Sequence, residues 1–194
     1  MNIFVLHPNT RKAARWHVDK HVVKMLLETC QLLYTVHWVL HYIQLLEQKS
    51  AIGLSRAHKS LPPPPLVQDS APLCESSGEP GYRPCHIHHP CGVWVRESIQ
   101  NYVWLSSLGL ELAKEFRFRY EKEHSCEKHI IWLSQHCPSN IPDTTQTPFK
   151  MAMADEYKIN KNPVSCYRHF YNTSKADKGI IQYTKRNKPH WLYV

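Results

Sequence analysis

The stretch that decides the fold is Trp16–Gln31, WHVDKHVVKMLLETCQ, which lies inside a longer helical pattern from about Thr10 to about Gln48. At about 100° per residue, seven polar side chains of this pattern fall within an arc of about 100°. This arc, the polar stripe, consists of His17, Lys20, His21, Lys24, Glu28, Gln31 and Thr35. The rest of the circumference is mainly apolar, which predicts a helix that is buried on most sides.

The polar stripe has two interpretations. If it faces the interior, its charges must be paired or lie along a cleft, because an unpaired buried charge is costly, and the stripe is then the wall of a functional site. The alternative is an ordinary solvated face on a helix whose other sides pack.

Length and charge narrow the class of protein. A chain of 194 residues is long enough for one domain with a proper core, which we place at 1–194. The formal net charge of +8 favours an acidic partner, with DNA preferred, over a membrane. From Thr145 to Val194, nine Lys or Arg residues stand against three acidic residues, so most of the excess lies in the last quarter.

The cysteines and the apolar runs indicate the compartment. Seven cysteines without a framework spacing predict reduced thiols. No basic segment precedes the short apolar run Ile3–Leu6, so we expect no signal peptide, and no apolar run is long enough for a membrane span. The expectation is a soluble, intracellular protein that needs no cofactor.

Proline and glycine residues indicate a loop and a helix start in the middle of the chain. Residues Leu61–Pro84 are rich in Pro, Ser and Gly, which predicts a polyproline-like, flexible insertion at about 49–84. Pro90 suits the first turn of a helix that continues to about Tyr120.

Helix-start signals place the remaining elements. Asn9 or Thr10 can cap the first helix, Ser125 can cap a short helix ended by Pro138, and Asn162–Pro163 can begin the last one. The predicted fold class is therefore all-α: a single-domain bundle of about four or five helices, with the Pro-rich loop between the first two.

The segment Cys85–Cys91, CHIHHPC, contains two cysteines and three histidines, which are typical zinc ligands. Structural zinc sites usually pair a short cysteine unit with a second, distant pair of ligands, and nothing downstream has that form. We therefore predict no metal, and we interpret His89, before Pro90, as a helix-start contact or a site residue.

Aromatic and basic side chains alternate in the later helices, a mixture that can stack on bases and bind phosphates. The candidate nucleic-acid contacts are His21, Trp94, Arg96, Asn101, Tyr167, Arg168, Tyr171, Lys185 and Arg186. The alternatives are a packed helix with a salt-bridged face and a solvated basic surface.

Three segments together resemble a known group. They are D-K-H-V-V-K at Asp19–Lys24, H-P-x(3)-W from His89 to Trp94, and Y-R-x-x-Y from Tyr167 to Tyr171, followed by an aromatic C-terminus. The chain, except about Leu46 to Pro84, resembles small, largely uncharacterised proteins of phages and bacteria. That group is similar to the pyrimidine-dimer DNA glycosylases (endonuclease V-like), small all-helical repair enzymes that also cleave at the abasic site they create. The resemblance implies a phage- or virus-encoded protein that acts on damaged DNA.

The resemblance also implies a mechanism. The characterised enzymes use a free N-terminal amine as nucleophile, with a glutamate on the first long helix. An α-amine is largely neutral at physiological pH, whereas an ordinary lysine is not. This sequence begins Met1-Asn2, and the bulk of Asn discourages methionine removal, so the nucleophile does not carry over. Of the acidic candidates Asp19 and Glu28, only Glu28 lies on the polar stripe.

The residues themselves offer a substitute nucleophile. Lys24 has apolar neighbours in sequence, and burial together with Lys20 and the two histidines would favour its neutral amine. It would attack the sugar anomeric carbon, with Glu28 managing protons and His17 or His89 assisting the departing base. A hydrolytic version, in which a carboxylate positions a water, needs no amine.

Three function classes follow from the sequence. The first is an enzyme of nucleic-acid base removal or strand cleavage, the second a nucleic-acid-binding protein without catalysis, and the third an enzyme acting on nucleotides or another small phosphorylated metabolite.

Overall fold

The computed structural model describes residues 2–42 and 61–194, and within these ranges the chain forms α-helices and no β-strands. The helices are α1 (Thr10–Trp16), α2 (Asp19–His41), α3 (Pro65–Ser70), α4 (Pro90–Glu97), α5 (Ile99–Tyr120), α6 (Glu127–Gln135) and α7 (Pro163–Phe170). A 3-10 turn lies at Asp155–Tyr157 and a π-helical turn at Tyr171–Lys175. The all-α prediction is confirmed, although these seven helices exceed the predicted number.

The predicted first helix is broken at His17 and Val18, both of which have extended backbones. The first free N–H of α2, at Asp19, donates to the carbonyl of Gln182 at 2.9 Å, so a segment distant in sequence satisfies the new helix start. His17 therefore lies outside α2. The continuation of the predicted helix to Gln48 falls beyond the described residues.

The Asp19 side chain fixes the same break. Its carboxylate accepts hydrogen bonds from the Arg119 guanidinium at 2.8 Å and from the Thr184 hydroxyl at 2.9 Å. Arg119 also donates to Glu115 at 2.8 Å, and Glu115 is bound in turn by Arg186. This buried network ties α2, α5 and the C-terminal segment together.

The predicted helix from Pro90 to Tyr120 is also two helices. Ser98 is extended, with φ −157° and ψ 154°, and its side chain caps α5 by accepting the Asn101 N–H. The N–H of Ile99 donates to the carbonyl of Pro142 at 2.8 Å, again a distant partner. The predicted end at Tyr120 is confirmed.

Helices α2 and α5 pack against each other at the centre, with α4 and α6 against both. Gly109 of α5 permits close approach to α6, because an added Cβ would lie 2.5 Å from Cγ1 of Ile130. The N-terminal arm, Ile3–Leu6, is buried beside this core, and Phe4 contacts the rings of Tyr167 and Tyr171.

The predicted helix starts are largely confirmed. Asn9 accepts the Lys12 N–H, His89 Nδ1 accepts the Cys91 N–H with Pro90 in the first turn, and Asn162 caps α7. The start predicted at Ser125 is displaced by one residue, since Cys126 precedes α6.

The described part of the insertion is not polyproline-like throughout. Residues Pro65–Ser70 form α3, whose Val67 is fully buried. Further along, the guanidinium of Arg83 lies 5.2 Å from the Trp38 ring centroid, so this segment packs against α2. Residues 49–60 of the predicted insertion lie outside the described ranges.

Within the described residues, no helix combines the length and the apolar composition needed to cross a membrane.

Candidate active site

A cavity of about 210 Å³ opens between the N-terminal arm, α2 and the π-helical turn that follows α7. We call it the arm cavity. It is lined by Asn2, Phe4, His21, Lys24, Met25, Glu28, Phe170 and Lys175.

Glu28 is the carboxylate of the arm cavity. It projects from α2 and is 7% exposed. Its Oε2 accepts the main-chain N–H of Asn2 at 2.8 Å, and its Oε1 lies 3.4 Å from Nζ of Lys24. The carboxylate is thus held by the arm on one side and by an amine on the other.

Asn2 is fixed by its own side chain. Its Nδ2 donates to the carbonyl of Ala152 at 2.9 Å, and its Oδ1 accepts the Tyr167 hydroxyl at 2.8 Å. Oδ1 also accepts the N–H of Ile3 at 2.8 Å. These bonds hold the main-chain nitrogen of Asn2 beside Glu28.

His21 lines the arm cavity from α2. Its ring stacks on Phe4, with centroids 4.3 Å apart and planes 9° apart, and Nδ1 lies 2.6 Å from the Tyr171 hydroxyl. Burial, with smaller contributions from the nearby His17 and Lys175, lowers the pKa of His21 to about 2. The imidazole is therefore neutral at physiological pH.

Lys175 reaches the arm cavity from the π-helical turn. Its Nζ lies 4.5 Å from the Phe170 ring centroid and 5.4 Å from that of Phe4. Burial lowers the pKa of Lys175 below its usual 10.5, and the charges of Lys178 and Lys24 lower it further, while Glu28 opposes them.

The structure brings together three members of the predicted site, namely His21, Lys24 and Glu28. The expected burial of Lys24 is wrong, because 68% of its side chain is exposed. Of its apolar neighbours in sequence, Val22, Met25 and Leu26 are buried, whereas Val23 is exposed beside Lys24.

The other predicted catalytic residues lie away from the arm cavity. His17 is fully buried, with Nδ1 donating to the carbonyl of Ala13 at 2.7 Å, so no substrate can touch it without rearrangement. Lys20 is exposed, and His89 caps α4; neither lines the cavity.

The first group of predicted nucleic-acid contacts has internal partners. Trp94 and Asn101 are buried, and Asn101 Nδ2 donates to the Trp94 carbonyl at 2.7 Å. Arg96 donates to the carbonyl of Ile87 at 2.7 Å. The structure thus places Trp94 and Asn101 in the α4–α5 packing and joins Arg96 to the segment before α4.

The second group is similarly engaged. Tyr167 and Tyr171 are fully buried, and the Arg168 guanidinium lies 5.0 Å from the Trp16 ring centroid. Lys185 pairs with Glu121, and Arg186 pairs with Glu115 while stacking on Phe118. These side chains stabilise the fold in the free protein.

Five cavity residues were not predicted as site residues: Asn2, Phe4, Met25, Phe170 and Lys175. The apolar run Ile3–Leu6 is visible in the sequence, but no local pattern shows where this run packs. Lys175 was one of nine basic residues in the last quarter, and only the tertiary contact of the π-helical turn distinguishes it.

No group of three or more potential metal ligands occurs among the described residues. All seven cysteines, which lie in the described ranges, are free thiols.

Comparisons of the chain with protein-family models, with curated proteins and with solved structures gave no match.

Proposed function

We propose that this protein is a nucleic-acid-acting enzyme of the glycosylase and abasic-site lyase type, which removes a damaged or modified base from DNA at the arm cavity. The observation that carries the proposal is the position of Glu28. A largely buried carboxylate lies in an open cavity beside a fixed main-chain nitrogen and two lysines, Lys24 and Lys175.

Base removal coupled to strand cleavage uses such a set of groups. In the lyase mechanism an amine attacks C1′ of the sugar while the base leaves, and a carboxylate accepts and returns protons during attack and ring opening. Glu28 has the position for that second role, since its carboxylate faces both the arm and the amines.

The contact of Asn2 with Glu28 supports the proposal further. In the enzymes that the sequence resembles, the chain start and a glutamate of the first long helix act together. Here the main-chain nitrogen of Asn2 lies 2.8 Å from Glu28 on α2, which is the same pairing of elements. Met1 itself is outside the described residues.

The size of the arm cavity is consistent with a flipped-out substrate. About 210 Å³ is less than the roughly 300–1,000 Å³ of sites that hold drug-sized ligands, so the cavity suits one ring or sugar rather than a duplex. Enzymes that act on a base extrude the nucleotide from the stack into such a pocket. The same volume suits a small phosphorylated metabolite, which is the alternative substrate class.

The experiment is base release from duplexes that each carry one lesion, together with strand cleavage at an abasic site. Replacing Glu28 by Gln keeps the shape of the side chain and removes the basic carboxylate, and we expect a loss of about 10²- to 10⁴-fold in rate with duplex affinity retained. The matched control is Glu123→Gln, which changes an exposed carboxylate far from the arm cavity.

Two results would contradict the proposal. Full activity in Glu28→Gln would remove the carboxylate from the mechanism. Absence of base release and strand cleavage by the unaltered protein, with duplex binding intact, would leave a non-catalytic binding protein, and turnover of free nucleotides alone would identify the alternative substrate class.

A further inference from the structure

We propose that Lys175 is the amine nucleophile of the arm cavity, the residue that forms the covalent imine with the sugar of the damaged nucleotide. This inference rests on the proposed function and assigns one residue within it.

The backbone delivers Lys175 to the cavity by an unusual turn. In a regular α-helix, residues five apart in sequence lie about 140° apart around the axis, so Lys175 would point away from Phe170. The π-helical turn at Tyr171–Lys175 widens the helix and brings both side chains to one face. The π-helical turn therefore brings the amine of Lys175 to the arm cavity.

Two aromatic faces hold Nζ of Lys175 in place. The distances of 4.5 Å to Phe170 and 5.4 Å to Phe4 are within the range of cation–π contacts. The rings attract the ammonium form, whereas partial burial and the charges of Lys24 and Lys178 favour the neutral amine and lower the pKa. A lysine that has lost part of its hydration beside other cations is the usual form of an activated amine.

Lys24 is the less suitable of the two cavity lysines. Its side chain is mostly exposed and is engaged in an ion pair with Glu28 at 3.4 Å. It lacks the burial through which a lysine nucleophile gains its reactive form. Its charge instead helps to activate Lys175, which faces Lys24 and Glu28 across the cavity.

The proposed step balances as follows. The lone pair of Nζ forms a bond to C1′ as the C1′–base bond breaks, and the base leaves with the electrons of the broken bond and takes up a proton from solvent. Glu28 accepts the proton released from the amine and returns it to the ring oxygen as the sugar opens, which leaves a protonated imine. The Glu28 carboxylate, ionised again by that transfer, then removes a C2′ proton, the 3′ phosphate leaves with the electrons of its bond to C3′, and water hydrolyses the imine to regenerate Lys175.

The test is borohydride trapping of the full-length protein on a duplex with an abasic site, followed by peptide mass mapping of the adduct. Hydride reduces the imine to a stable secondary amine at the residue that formed it. We expect the adduct on Lys175. The variant Lys175→Arg retains the charge and the ring contacts, and we expect it to bind the duplex normally and to lose trapping.

The matched control is Lys161→Arg, an exposed lysine of the last quarter that does not line the arm cavity. It should keep trapping on Lys175, and circular dichroism of both variants verifies that they fold.

The outcomes separate this inference from the proposed function. An adduct on Lys24 or on the α-amine of the chain would overturn the assignment of Lys175 and leave the lyase proposal standing. Base release without any adduct would overturn it in favour of a hydrolytic mechanism. If neither an adduct nor base release is observed, both the assignment of Lys175 and the proposed function are overturned.

Discussion

At the residue scale, Arg119 is a buried charged side chain that requires carboxylate partners. None of its side chain is exposed, and its guanidinium is shared between Asp19 and Glu115, each at 2.8 Å. A buried arginine is tolerated only because both partners are present, since removing one member of such a set leaves the others charged and unpaired.

We expect Arg119→Ala to destabilise the protein by about 3–5 kcal/mol, because it leaves two carboxylates without their shared cation. The measurement is the free energy of unfolding from urea titration followed by circular dichroism. The matched control on the same helix is Lys114→Ala, which removes an exposed partner of Glu111 and should cost less than about 1 kcal/mol. Equal losses of stability in Arg119→Ala and Lys114→Ala would show that burial does not determine the cost of removing an ion-pair partner.

Glu115 gives the same network a pH dependence. Burial raises its pKa, but the hydrogen bonds from Arg186 and Arg119 outweigh that effect and bring the pKa below the usual 4.5. A carboxylate with a lowered folded-state pKa stabilises the protein above its unfolded-state pKa, and this contribution is lost as the pH falls through the folded-state value. The network is therefore weakened by acid and not by mild alkali.

At the element scale, the two unpredicted helix breaks have one cause. At both breaks the first N–H of the new helix donates to a distant carbonyl, from Asp19 to Gln182 and from Ile99 to Pro142. Helical periodicity in sequence reports which face of a segment is apolar, and it continues unchanged through Trp16–Gln31 and beyond Pro90. The starts at Asn9, Pro90 and Asn162 were predictable because their signals are local, whereas these breaks depend on tertiary partners.

The same distinction applies to the candidate site. Glu28, Lys24 and His21 were predictable as neighbours, because residues three and four apart share a helix face. Asn2 and Lys175 reach the arm cavity from the two ends of the described chain, and nothing in their local sequence specifies that contact. Burial was the least predictable property: Lys24 was expected to be buried and is exposed, while Tyr167 was expected on the surface and is buried.

A substitution at Gly109 tests how closely α5 packs on α6. Replacement by Ala would gain about 1 kcal/mol of helix propensity. We nevertheless expect Gly109→Ala to destabilise the protein by about 1–3 kcal/mol, because the new methyl group would overlap Ile130, which is fully buried and has no room to move. Urea titration measures the change.

A second substitution distinguishes overlap from a loss of backbone freedom. Ile130→Val removes Cδ1, which also lies against the added methyl group, so the double variant should lose less stability than the sum of the two single variants. Gln100→Ala on the exposed side of α5 should stay within about 0.5 kcal/mol of the unaltered protein. Gly109→Ala that is as stable as the unaltered protein would contradict the close approach.

At the scale of the whole molecule, the net charge of +8 does not mark the binding face by itself. The basic residues of the last quarter include Lys185 and Arg186, which are paired with Glu121 and Glu115. By contrast, Lys24 lines the arm cavity and is exposed despite its ion pair with Glu28, and Lys20 is exposed one turn earlier on α2. Under the proposed function, these two exposed lysines of α2 are the candidates for phosphate contacts near the site.

Under the proposed function, this distribution predicts which lysines would give DNA binding its salt dependence. Each phosphate contact contributes about −0.9 to the slope of log affinity against log salt concentration, so the double variant Lys20→Gln, Lys24→Gln should reduce the slope by up to about 2. The double variant Lys185→Gln, Arg186→Gln should lose stability but keep the slope, because Lys185 and Arg186 do not line the arm cavity and Arg186 is held by the buried Glu115. Fluorescence anisotropy with a labelled duplex at several salt concentrations measures both. A slope that depends on Lys185 and Arg186 instead would show that these ion pairs open on binding, and that the C-terminal segment, rather than the rim of the arm cavity, carries the phosphate contacts.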